Sequence, residues 1–133
     1  MLWKRLAISA DASVKDALKQ LDLTTEKTLL VVDGSGLFLG AITDGDIRRH
    51  LLCGGKLDEA IRPVFNSHAL TVKAGYFQLD AVRSMMLEQK ILVVPILSDQ
   101  GKIVDLVLFD EVVDWKEFDN RFSAGSIDIP VVI

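Results

Sequence analysis

A block of about 60 residues occurs twice in this chain, the mark of one supersecondary unit built two times. Asp16-Ala17-Leu18 aligns with Asp80-Ala81-Val82 at an offset of 64 residues, and Gly36 aligns with Gly101 at an offset of 65. One residue of slippage therefore lies between those points. Any fold has to satisfy the same hydrophobic pattern in both places. Each copy alone has little apolar surface to bury, so the sequence predicts that the two halves pack on each other.

The first copy opens with Ala7-Ile8, a short extended piece, and a polar stretch from Ser9 to Ser13. Val14, Ala17, Leu18 and Leu21 follow at i, i+3, i+4, i+7, one apolar face of a helix. Ser13 with Asp16 three residues later has the spacing of a capping box. Leu29 to Val32 is an apolar run of strand length, Asp33-Gly34-Ser35-Gly36 a cluster of turn formers, and Leu37 to Ile42 the returning strand of a hairpin. Thr43-Asp44-Gly45-Asp46 then leads into a short helix, Ile47 to Leu52, closed by Cys53-Gly54-Gly55.

Lys56 to His68 is a connector containing Pro63. The pattern then restarts. Leu70-Thr71-Val72 is extended, and Gln78 to Leu87 is helical with Leu79, Val82 and Met86 on one side. Ile91 to Leu97 and Ile103 to Leu108 are strands about the turn Ser98-Asp99-Gln100-Gly101, and Asp110 to Phe118 is a closing helix. The divisions expected are 1–60, 61–118 and 119–133. The last comprises a polar linker, Asp119 to Ser126, and a strand-like end, Ile127 to Ile133. That end either begins a following domain or pairs back on this domain's own sheet. The fold class expected is α/β.

Several functions are disfavoured. The net charge of −4 argues against sequence-independent nucleic-acid binding, which needs a cationic surface. One cysteine, Cys53, cannot form an internal disulfide, which fits a reducing compartment. No apolar run reaches the roughly 18 residues of a membrane span, and the N-terminus lacks a signal-peptide core. A cytoplasmic setting is expected, with no membrane partner. His50 and His68 lack metal-ligand spacing. Cys53 has no visible base and is expected to be a buried or half-buried helix-end residue. Met85-Met86 fits a core, and no carboxylate pair is placed for acid–base work. Gly34-x-Gly36-x-x-x-Gly40 imitates a dinucleotide fingerprint, but that motif must open a helix and here a strand follows.

The junction before the Ile47 helix carries the chemistry. Free N–H groups and the dipole at a helix start attract anions, and Thr43 offers a hydroxyl at that edge. Asp46 would oppose a phosphate but suits a ribose diol, whose hydroxyls donate to its two oxygens. Neighbouring apolar residues can hold a planar base, and Arg48 and Arg49 can balance phosphates. Thr-x-x-Asp is equally a capping box that needs no ligand, and spacing alone favours the cap. The two arginines also suit a solvated helix face.

Helix, strand, turn, strand, helix, given twice, resembles a tandem pair of CBS domains, or Bateman module, over about Leu6 to Glu117. Gly40-Ala41-Ile42-Thr43-Asp44-Gly45-Asp46-Ile47 is similar to the family's signature of glycine, apolar residue, Ser/Thr, two residues and Asp. The resemblance implies two packed repeats related by pseudo-two-fold symmetry. It also implies that Thr43 and Asp46 contact the ribose and phosphate of an adenosine nucleotide (AMP, ADP or ATP). Gly40, Ile42, Arg48 and Ile8 belong to that site by the same resemblance, with Glu111 in the second copy. There Asp105, Leu108 and Glu111 stand for Gly40, Thr43 and Asp46, so the second motif is degraded. A homodimer is implied in the same way. Trp3 and the final Pro130-Val131-Val132-Ile133 resemble the setting of CBS pairs ahead of sugar-phosphate nucleotidyltransferases of the mannose-1-phosphate guanylyltransferase type. The function implied is regulatory, without catalysis in this piece, in a longer enzyme. The alternative is a dimerisation scaffold with a vestigial site.

Overall fold

The computed structural model describes residues 2–109. The expected closing helix at 110–118, Glu111 within it, and the linker and strand at 119–133 lie outside the described residues. The chain divides into two compact units, Met1–Ala69 and Leu70–Ile133.

In the first unit a 3-10 turn, Leu2–Leu6, leads into β1 (Ala7–Ser9). Then come α1 (Val14–Asp22), β2 (Thr28–Val32), β3 (Phe38–Thr43) and α2 (Asp44–Leu52). The sheet order is β1-β2-β3, with β1 parallel to β2 and β2 antiparallel to β3. Ile8, Val31 and Gly40 are cross-strand neighbours, as are Leu29 and Ile42. The pleat puts all five on one face. Val14, Ala17 and Leu21 of α1 and Ile47 of α2 close over that face and complete a buried core. The apolar stripe read from the sequence of α1 is thus the buried one, with Leu18 at its half-buried edge.

The second unit repeats the order with β4 (Val72–Lys73), α3 (Leu79–Gln89), β5 (Val93–Leu97) and β6 (Ile103–Leu108). β4 runs parallel to β5, and β5 pairs antiparallel with β6. Its core gathers Val72, Phe77, Val82, Met86, Val94, Ile96 and Val107. Both hairpins carry a register shift at the same place, between Val31 and Val32 and between Ile96 and Leu97. The extra residue lies on the returning strand, Leu39 in β3 and Val104 in β6, and bends that strand just after the turn.

The turns differ in chemistry and agree in shape. Asp33 Oδ1 accepts from the N–H of Ser35 (2.8 Å), the hydroxyl of Ser35 (2.8 Å) and the N–H of Leu37 (3.0 Å). Ser98 Oγ does the corresponding work for the N–H groups of Gln100 and Lys102. Both turns end on a glycine with positive φ, Gly36 at 92° and Gly101 at 84°, where a side chain would strain the backbone. Leu37 is held by the turn, so β3 begins one residue later than its apolar run. Likewise β5 begins at Val93 and not Ile91. Lys90 adopts a left-handed conformation, and the N–H of Ile91 turns back to Met86 O to end α3.

The connector departs most from its sequence reading. The boundary expected after residue 60 falls at Ala69/Leu70, because residues 57–66 fold onto the first unit. Val14 and Lys15 donate to Glu59 O (2.8 Å) and Leu57 O (2.9 Å), and Ile61 donates to Ala12 O (2.9 Å). Ile61 is fully buried in the first core, with Val64 and Phe65 packed against it. Asn66 then pairs with Ala41 of β3 by two backbone bonds of 3.0 and 2.8 Å. Cys53 also differs from expectation: it caps the end of α2 on the surface and is exposed. No helix among the described residues is long and apolar enough to cross a membrane.

Candidate ligand site at a strand–helix junction

Thr43 is at once the last residue of β3 and the N-cap of α2, with extended backbone (φ −114°, ψ 168°). Its Oγ1 accepts from the N–H of Asp46 at 3.2 Å, and its own N–H donates to Asp46 Oδ2 at 2.9 Å. The capping box allowed by the spacing is therefore complete. Such a cap stabilises a helix by about 1 kcal/mol. The other oxygen of Asp46 accepts from Arg49 Nη2 at 2.8 Å. Arg48 reaches back a full turn to Asp44 instead, at 3.0 Å.

The two helix starts in this unit are satisfied differently. In α1 all four leading N–H groups are taken: Val14 and Lys15 by the connector, Asp16 by Ser13 Oγ, Ala17 by Ser13 O. In α2 the N–H of Asp46 goes to Thr43, while those of Asp44 and Gly45 make no hydrogen bond among the described residues. Open amides at a helix start carry partial positive charge and are ready donors for an anion. Because Thr28 pairs with Thr43, the turn before β2 lies beside this junction. There Arg5 holds the partly buried Glu26 carboxylate through two hydrogen bonds, one of 2.8 Å. That pairing keeps the Glu26 carboxyl below the usual carboxylate range, against the opposing pull of burial.

The structure brings Thr43 and Asp46 together and spreads the other expected residues. Ile8 and Ile42 place their side chains in the first core, 7% and 0% exposed. Gly40 is buried on the core face of β3, where a Cβ would stand 2.5 Å from Asn66 O and 2.6 Å from the Phe65 ring. Its small size is required by the connector. Arg48 is exposed and turned toward Asp44. Glu111 lies outside the described residues. Arg49, paired with Asp46, was placed by sequence only as a second cation. Its i,i+3 spacing from Asp46 was the available signal. Nothing in the sequence pointed to Phe65 and Asn66 as neighbours of the motif.

At the matching place in the second unit, Leu108 and Phe109 stand where Thr43 and Asp44 stand. Leu108 supplies no hydroxyl, and the N–H of Phe109 is already bound to Leu92 O at 2.9 Å. Phe109 instead helps line a small apolar cleft of about 240 Å³ with Met86, Ile91 and Leu92.

Residues 2–53 match the family model of the CBS domain. Over 100 residues, 75% of this chain, the sequence is 29% identical to arabinose 5-phosphate isomerase GutQ of Shigella flexneri. It spans 31% of that relative's length. Among solved structures, CBSX2 in complex with AMP superposes with a TM-score of 0.71 at 21% identity, covering 86% of this chain and 89% of that one. The CBS domain pair of protein MJ0100, solved with 5-methylthioadenosine and S-adenosyl-L-methionine, gives 0.70 at 23% identity, covering 84% and 87%. At such identities the likeness establishes the fold, which extends beyond residues 2–53 over the second unit.

Proposed function

We propose that this chain is a regulatory module that binds an adenosine nucleotide (AMP, ADP or ATP) where β3 meets α2. The observation that carries the reading is the pair of open amides, Asp44 and Gly45, next to a hydroxyl and a carboxylate. A phosphate suits the amides and the helix dipole, and a ribose diol suits Asp46. Thr43 holds the corner and adds its hydroxyl. Gly40, Ile42 and Ile8 support the site from within the core behind it, without lining it, and Arg48, paired with Asp44, adds positive charge at the same helix start. Glu111 marks the corresponding place in the second repeat, which without a threonine is the weaker site. The adenosine ligands of CBSX2 and of the MJ0100 pair support the same ligand class.

Regulation requires that the ligand favour one conformation of the whole over another. The module acts as a homodimer in the cytoplasm and is attached to a catalytic domain that handles a phosphorylated sugar. The relation to GutQ supports an isomerase there. The likeness of Trp3 and Pro130 to Ile133 to the guanylyltransferase setting supports a nucleotidyltransferase.

One observation favours a second reading, a scaffold with a vestigial site: the capping box is complete with no ligand, and both Asp46 oxygens are occupied. Thermal unfolding separates the two. A ligand at a hundred times its Kd stabilises the native state by about 2.7 kcal/mol, a rise in Tm of several degrees. No shift with millimolar AMP, ADP or ATP would leave the scaffold. Asp46→Ala is expected to weaken nucleotide binding by about 1.5–3 kcal/mol. If only the helix cap is lost, stability falls by about 1 kcal/mol and affinity stays.

A further inference from the structure

We infer that Arg49 makes this site selective for nucleotides over nucleosides, by leaving Asp46 for the phosphate when a ribose takes its place; this rests on the nucleotide reading above. Asp46 has two oxygens, and both are in use. Oδ2 holds the N–H of Thr43 at the corner between β3 and α2, where its loss would open the helix start. Oδ1 holds Arg49, a side chain 72% exposed, while the Asp46 side chain is 20% exposed. A solvent-facing ion pair is weakly held, so Oδ1 is the oxygen that a ribose hydroxyl can claim.

The displaced guanidinium has a short way to go. Its Nη1 already lies 3.4 Å from where a Cβ on Gly45 would stand, beside one of the two open amides. A side chain at position 45 would crowd it. A phosphate on those amides meets two carboxylates, Asp44 and Asp46. Each is neutralised by an arginine of the next turn. Once ribose holds Asp46, Arg49 is the charge set free next to the phosphate, and a guanidinium binds phosphate through paired N–H donors. Arg48 stays with Asp44, farther out, at 65% and 48% exposure. A nucleoside gains the ribose contact but gives the released arginine nothing to bind. A nucleotide satisfies both.

Isothermal titration of the 133-residue chain with AMP and with adenosine tests this. The wild type should bind AMP at least about tenfold more tightly than adenosine, the value of one charge-assisted bond. In Arg49→Gln the AMP affinity should fall by roughly 10- to 100-fold, while adenosine binds equally well or better, so the preference collapses. Arg62→Gln removes a surface arginine that pairs with Asp11 away from the junction and should keep the wild-type ratio. An unchanged AMP-to-adenosine ratio in Arg49→Gln overturns the exchange and leaves the nucleotide site standing. Equal weakening of both ligands overturns it too. A wild type that binds neither ligand overturns the nucleotide reading itself, and the arginine's role with it.

Discussion

Replacing Gly40 by alanine separates packing from ligand contact at the motif's first residue. The new Cβ would stand 2.5 Å from Asn66 O and 2.6 and 2.8 Å from two carbons of the Phe65 ring. Real Cβ atoms do not come that close, so something must move. Asn66 O is backbone and accepts from Ala41, and its partner bond, Asn66 N–H to Ala41 O, would be pulled open with it. Two backbone hydrogen bonds contribute about 0.5–1.5 kcal/mol each, and forced repacking of a core residue costs about 1–3 kcal/mol. Alanine gives back about 0.4–1 kcal/mol by stiffening the unfolded chain. The net expectation is a loss of about 2–4 kcal/mol with no nucleotide present. In urea, with a slope of about 1–3 kcal/mol per molar, the midpoint should fall by about 0.7 molar or more. Gly34→Ala is the control: nothing lies within 4 Å of its Cβ, and the change should stay within about 0.5 kcal/mol. A Gly40→Ala chain as stable as the wild type, with a defect only in nucleotide binding, would refute the packing argument.

Two further outcomes follow from the same coordinates. Ile61 is fully buried in the first core although it comes from the connector, so Ile61→Ala should cost about 2–5 kcal/mol in chemical denaturation; a surface-like effect would mean the connector is not part of the first unit. The Glu26 carboxyl is held low by Arg5, so the folded state binds its proton more weakly than the unfolded chain does. That stability is present above the unfolded value near pH 4.3 and is lost as pH falls through the folded value, so Glu26→Gln should flatten the acid side of the stability–pH profile.

Much of the fold was legible because it is local. The caps of α1 and α2 join groups three residues apart, the Asp33 and Ser98 turns join groups two to four apart, and the hairpins follow from apolar runs about a glycine. Such spacings are visible in a string of letters. Two hairpin strands, β3 and β5, start late because a backbone turn competes with an apolar run, at Leu37 and at Ile91, and the short extended piece expected at Leu70 to Val72 is reduced to β4 at Val72–Lys73. The Thr43–Asp46 pairing was legible as geometry, though spacing alone could not separate a cap from a ligand contact.

What the sequence determined by itself is the duplicated hairpin-and-helix unit and the place where its chemistry sits, since both are set by bonds within a few residues. The tertiary structure decided that residues 57–66 close the start of α1 and leave that of α2 open, that Gly40 is small to admit Phe65 and Asn66, and that Arg49 reaches Asp46 while Arg48 faces Asp44. Most of these depend on parts of the chain tens of residues apart arriving at one point, or on which of two adjacent arginines the helix turns toward a carboxylate. Hydrophobic burial drives that meeting without direction, so no spacing records it.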